Sequence, residues 1–177
     1  TFIFNSAPPK NAGLSSSLIS SFEVGDQSLS KKKKKKSDGE LLYYHPFKYK
    51  KLPSSSPQVE YSIVLRLQEM YLIRAEARAQ QGELIGAKED LNVTRNAAGL
   101  DNTTAVSKTE LLTAVLNERR VEFFTEYGHR FMDLKRAGKL DDFLSSKPSW
   151  QSTDRLLPLP QKELNLNSSL GAQNPGY

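Results

Sequence analysis

Apolar residues begin to recur at helical spacing from Val59, with Ile63, Val64, Leu67, Met70, Tyr71 and Ala75 set three or four positions apart. The pattern stops at Gly82, a residue free to take the left-handed conformation that closes a helix, so the spacing predicts a helix over about 59–81. A second helix is predicted over about 85–98, with Ala87, Leu91 and Thr94 on one face and Gly99 after it. So few residues join the two that they must form an antiparallel hairpin. Ser107-Lys108-Thr109-Glu110 reads as a capping box, opening a third helix that runs to about Tyr127 and Gly128. A shorter helix over about 129–137 ends at Gly138. Pro148, Pro158, Pro160 and Pro175 then exclude long helices, and the tail is expected as an extended strap over the helices.

Residues 1–58 read differently. Pro8-Pro9, Ser15-Ser16-Ser17, Ser37-Asp38-Gly39 and the Pro53 to Pro57 stretch mark a loop-rich segment with room for short strands. Tyr43, Tyr44, Phe47 and Tyr49, around His45 and Pro46, favour extended backbone and would cover the edge of a core. The expected fold class is therefore mainly α: a loop-rich segment over 1–58 and a helical domain over 59–177, folded as one unit. A length of 177 residues with 37% hydrophobic content suits one domain with a real core.

The net charge of +5 misleads, because six lysines form one run, Lys31 to Lys36. Outside it nineteen basic residues face twenty acidic ones, a balance of −1. A nucleic-acid binder spreads basic residues over a face of its fold, so the run is read as a solvated loop with no dedicated partner. No apolar stretch approaches the roughly 18 residues that span a bilayer. With no cysteine there is no disulfide, thiolate metal site or cysteine nucleophile. The chain begins at Thr1 rather than Met, which points to a fragment or a processed product.

Catalytic templates fail. His45 and His129 lack the spacing of a helical zinc pair, and no nucleophile elbow, phosphate loop or dinucleotide fingerprint is present. Asp133, Asp141 and Asp142 cluster as carboxylates do on many solvated helix faces, and the sequons at Asn92 and Asn102 decide nothing. No enzyme activity, metal or cofactor is expected. The third helix carries more information, since its stripe of Leu112, Val115, Leu116 and Phe123 also holds Arg119 and Glu126. Glu118, Glu122, Glu126 and Arg130 follow at i, i+4, with Asp133 and Arg136 beyond them. Either this is a solvated face, or Arg119, Glu122, Glu126, Arg130 and Asp133 belong to a partly buried structural network that Arg74 or Glu76 could join. Arg119 and Glu126 lie two turns apart, about 10 Å along the axis, so each then needs another partner.

Gly82, Ala87 and Leu91 stand at the spacing of the second half of a tetratricopeptide repeat, although Arg74 and Arg78 occupy positions where that repeat prefers Leu and Tyr. Only one copy is visible, and a repeat unit needs neighbours to bury its face. Tyr71-Leu72-Ile73-Arg74-Ala75-Glu76-Ala77, Leu91-Asn92-Val93-Thr94-Arg95, Asn117 to Phe123 and Gly128 to Arg136 follow in order. With Leu157 to Leu164 and Gln173-Asn174-Pro175-Gly176-Tyr177 they resemble the carboxy-terminal part of the RagB/SusD family over roughly Val59 to Tyr177. Upstream, Phe22 to Leu29 is similar to a family segment that usually carries Asp-x-Arg, with Ser28 where the arginine is expected.

The resemblance implies a tetratricopeptide-like scaffold and a surface lipoprotein of the Bacteroidetes outer membrane. Such a protein captures nutrients, most often oligosaccharides, and acts as a lid on a SusC-like TonB-dependent transporter. Its membrane attachment would be a lipid anchor on an amino-terminal part that this sequence lacks. The second reading is a tetratricopeptide-like module holding a peptide or protein, and the third a nucleic-acid binder using the lysine run. A sugar ring offers an apolar C–H face, so exposed aromatics are the expected platforms. Tyr71, Phe123, Phe124 and Phe131 are assigned to helical packing, which leaves Tyr43, Tyr44, Phe47 and Trp150 as candidate ligand contacts. Their structural alternative is that Trp150 anchors the tail and the tyrosines plug helix ends.

Overall fold

The computed structural model describes residues 13–27, 33–38, 41–48, 61, 63–145 and 147–177. Pro8, Pro9, Ser28, Lys31, Lys32, Tyr49, the Pro53 to Pro57 stretch and Val59 lie outside the described residues. The described part is mainly helical, and the chain divides into two units, Thr1–Glu126 and Tyr127–Tyr177. The composition boundary at residues 58–59 falls inside the first.

In the first unit a short helix α1 (Ser16–Ile19) precedes strands β1 (Lys33–Asp38) and β2 (Leu41–Pro46), which pair antiparallel with Lys35 opposite Tyr44. Lys33 to Lys36 are thus in a strand and not in the solvated loop expected of the run. Charge repulsion says which side chains avoid each other, but the backbone of Leu41 to Pro46 needs a ladder partner, and the preceding segment supplies it.

Helices α2 (Leu67–Gln81), α3 (Leu84–Ala97) and α4 (Lys108–Glu122) form the body of this unit. The first starts later than periodicity predicts, because Arg66 is extended at φ −129° and the exposed Ile63, Val64 and Leu65 precede the helix. Its buried face is Leu72, Ala75 and Ala79, packed with Ala87 and Leu91 of α3 and with Leu111, Val115 and Phe123. Alanines at three of these positions let the hairpin helices approach closely. On the opposite face of α2, Leu67, Met70 and Ile73 are exposed. The helix is apolar on two faces, and periodicity does not say which is inside.

Gly82 closes α2 at φ 87°, and Gly99 follows α3 at φ 78°. A side chain at Gly99 would lie 2.7 Å from the Gln27 amide, whose own backbone N–H donates to the Ala98 carbonyl at 2.9 Å. That contact holds the 21–27 segment against the end of α3. The capping box of α4 is complete: Ser107 Oγ accepts from Glu110 N, and Glu110 Oε2 accepts from Ser107 N at 2.9 Å. The N–H groups of Val106 and Ser107, donating to it, hold the Glu110 carboxyl below its usual range. Helix α4 ends at Glu122, short of Tyr127, and Thr125 and Tyr127 take positive φ without being glycine.

The second unit holds α5 (His129–Arg136), α6 (Leu140–Leu144) and α7 (Gln161–Leu166), with single 3-10 turns at Ser152–Arg155 and Ser168–Leu170. Gln173 donates to the Leu159 carbonyl at 2.8 Å and accepts from its N–H at 2.7 Å. Asn174 donates to the Leu157 carbonyl and the Tyr177 hydroxyl to that of Leu156. The Gln-Asn-Pro-Gly-Tyr ending therefore clasps the Leu-Pro-Leu-Pro segment through its backbone. Among the described residues no helix is long and apolar enough to cross a membrane.

Leu72→Ala should lower stability by about 2–5 kcal/mol, the usual result of emptying a packed leucine site. Its neighbour Ile73→Ala, half exposed on the other face, should change it by no more than about 0.5 kcal/mol. Urea denaturation of the two variants checks both the register of α2 and its inner face.

Candidate functional site

Three groups of charged side chains organise the first unit. Helix α4 ends on Glu122, and Glu126 follows one turn later, both buried. Lys48 Nζ donates to Glu126 Oε1 at 2.5 Å and to the Glu122 carbonyl at 2.6 Å. Arg66 spans both carboxylates, with Nη1 2.8 Å from Glu126 Oε1 and Nη2 on Glu122 Oε1. Lys48 also lies over the Phe124 ring, and Arg66 and Arg119 over that of Phe123. Arg119 reaches Glu69 of α2 at 3.7 Å. Carboxylates paired in this way hold separate parts of the chain together.

The second group joins α2 to α3. Arg74 binds the buried Asp90 with two bonds of 2.8 and 2.7 Å, and Arg78 adds a third at 2.8 Å. The two arginines that fit the repeat pattern poorly are thus the cations of a hairpin clamp. Hydrogen bonds from Arg74, then the nearby charges of Arg74 and Arg78, hold the Asp90 carboxyl below the usual carboxylate range. Gly86 makes room: a side chain there would lie 3.2 Å from Arg78.

The third group borders a polar cleft of about 340 Å³, built from the 21–26 segment, the loop after α3 and the outer turns of α4. Arg95, in the last turn of α3, makes bonds of 2.6 and 3.0 Å to the two oxygens of Glu23. It also donates to the Asp101 carbonyl at 2.9 Å and approaches Glu118 at 3.5 Å. The Arg95 hydrogen bonds draw the Glu23 carboxyl below its ordinary range. The loop is fixed from below, where Thr103 N–H donates to Asn92 Oδ1 at 2.8 Å.

The family model that matches this chain is that of the SusD family, over residues 23–177. The chain belongs to the SusD family. The match extends upstream of Val59 and takes in the segment that Glu23 ties to Arg95. SusD-like protein P2 of Formosa agariphila is 31% identical over 113 residues, which are 60% of this chain and 20% of that protein. A solved SusD-like protein from Bacteroides fragilis superimposes with a TM-score of 0.61 at 27% identity, covering 76% of this chain and 30% of its own. A SusD superfamily protein from Bacteroides vulgatus gives 0.63 at 26% identity, with coverages of 86% and 36%. The chain therefore spans about a fifth of the curated relative and about a third of the solved ones.

In this SusD-family chain the aromatic candidates are dispersed. Tyr43 and Tyr44 are half-buried on β2, where successive side chains leave on opposite faces, so the two do not form one platform. Phe47 follows the strand, half-buried, and none of the three borders the polar cleft. Trp150 belongs to the second unit, where its Nε1 donates to Asp141 Oδ1 at 2.9 Å. Arg155 binds the other oxygen of Asp141, and the Trp150 bond leads the effects that hold this carboxyl below its usual range. Of the five charged candidates, Glu122 and Glu126 pair with Arg66 and Arg119 with Glu69 in the first unit, and in the second Asp133 is bound by Arg136 at 3.0 Å and Arg130 lies over the Phe143 ring. Asp90, Lys48, Arg66 and the Glu23–Arg95 pair were not among the sequence candidates. For Asp90 a signal existed, since Arg74 and Arg78 stand one turn apart on the face turned to α3.

Arg119→Ala and Glu126→Ala should each cost about 3–5 kcal/mol, because each removes the buried member of an ion pair and leaves a partly buried charge without it. Asp90 brings a pH dependence to the hairpin clamp. Its folded-state pKa is depressed, so its contribution is present above the unfolded value of about 3.9 and is lost as pH falls through the folded one. The stability gap between the native chain and Asp90→Asn should therefore close as denaturation is measured at successively lower pH below about 4.

Proposed function

We propose that this chain is part of a cell-surface nutrient-binding protein that holds an oligosaccharide and delivers it to a TonB-dependent outer-membrane transporter, without catalysis of its own. The observation that carries this reading is the SusD-family match over residues 23–177, on a helical scaffold shared with SusD-like proteins. The buried carboxylates Glu122, Glu126, Asp90 and Asp133 are each engaged by a cation, which supports binding over chemistry. Tyr43, Tyr44, Phe47 and Trp150 remain the proposed aromatic contacts. Lipid-anchored placement at the outer-membrane surface belongs to the same proposal.

Isothermal titration against a panel of oligosaccharides should give saturable binding that changes little between low and moderate salt, unlike phosphate binding through lysines, which falls steeply. Trp150→Ala or Tyr44→Ala should weaken it by about five- to tenfold if either ring is a platform. Heat with a peptide library and none with any sugar would move the chain to the protein-interaction reading.

A further inference from the structure

The polar cleft has features that neither the aromatic candidates nor the ion-pair clamps use. Asn102 in the loop after α3 and Asn117 on α4 border it, and no other described residue engages either side-chain amide. Each amide offers donors and an acceptor together, the pairing that neighbouring sugar hydroxyls require because each hydroxyl both gives and accepts. Leu100, Ala114 and Val121 form an apolar floor between the polar groups. A volume of about 340 Å³ lies at the small end of the range of roughly 300–1,000 Å³ for small-molecule sites.

The charge of the lining narrows the ligand. Glu23, Asp26, Asp101 and Glu118 bring four carboxylates to the cleft and Arg95 one guanidinium, already committed to Glu23 and to the Asp101 carbonyl. An anionic ligand would find no uncommitted cation there and several like charges. Among the described residues the carboxylates do not cluster in a group that could hold a metal ion.

We infer that the cleft between the Glu23 segment, the Asp101–Thr104 loop and α4 is a subsite for a single hydroxyl-rich ring that is neutral or bears an amine, and that it discriminates against uronates and sulfated sugars. Asn102 and Asn117 bind ring hydroxyls, the apolar floor meets C–H groups, and Asp101 supplies the charge selection. The inference rests on the glycan-binding reading and adds to it a place and a ligand charge.

The test is titration of the chain with methyl glucoside, glucosamine and glucuronate at pH 7, followed by the shifts of the asparagine side-chain amide signals in NMR spectra. Methyl glucoside and glucosamine should saturate and move the Asn102 and Asn117 signals, with glucuronate weaker by roughly tenfold or more. Asn117→Ala, an exposed helix position that tolerates alanine, should weaken both binders about five- to tenfold. Asp101→Asn should narrow the gap between glucosamine and glucuronate by strengthening glucuronate binding, a gain that loss of structure would not produce. Glucuronate binding as tightly as glucosamine overturns the proposal. Oligosaccharide binding that neither variant alters overturns the cleft alone and leaves the glycan-binding reading standing, whereas no binding of any sugar overturns both.

Discussion

Taking a carboxylate out of water costs several kcal/mol unless a cation is brought with it, and α4 with the turn after it buries Glu118, Glu122 and Glu126 along one side. The counterions come from outside the helix. Lys48 follows β2, Arg66 precedes α2, and Arg95 ends α3 and carries Glu23 with it. Each pair therefore attaches a different part of the chain to α4. The loop-rich first third is tied to this side of the molecule by these charges together with the edge contact of Phe22 on the Phe124 ring. Rings strengthen the arrangement, because Lys48 and Arg66 lie over Phe124 and Phe123 and keep their cations in partly dry surroundings.

The same requirement accounts for the form of the hairpin. A tetratricopeptide-like pair normally closes with large apolar side chains at the positions of Arg74 and Arg78, yet here the two guanidiniums converge on Asp90. Small residues at Ala75, Ala79, Gly86 and Ala87 let the helices approach until those bonds form. Apolar contact supplies the inner face of the hairpin and ion pairing its flank.

What could be read from the sequence follows from how local each determinant is. Gly82, Gly99 and the Ser107–Glu110 box act within one turn of their own position, and helix ends placed on them agree with the structure to within a residue or two. The start of α2 was not local: Arg66 stays extended while its side chain serves Glu122 and Glu126, far along the chain. The end of α4 was hidden for a related reason, since no glycine marks it and Thr125 takes φ 61° in the turn that keeps Glu126 beside Glu122. The lysine run misled because charge repulsion describes side chains, whereas Lys33 to Lys36 are placed by the backbone ladder to β2. Of the candidate ligand contacts, composition identified the aromatic residues but not their directions, and strand alternation then separates Tyr43 from Tyr44.

Structural pairing also fixes the character of the polar cleft. Arg95 is the cation of that surface, and it is held by Glu23 on two oxygens, by the Asp101 carbonyl and by Glu118. Committing it to the fold removes it from recognition, so the remaining charged groups that line the cavity are acidic. A protein that fastens its loops by ion pairs thus leaves a surface whose charge is set by the other lining residues, and in this cleft the acids Glu23, Asp26, Asp101 and Glu118 outnumber Arg95. The Glu23–Arg95 pair in this way both holds the 21–27 segment in place and lines the cleft that Asn102 and Asn117 border.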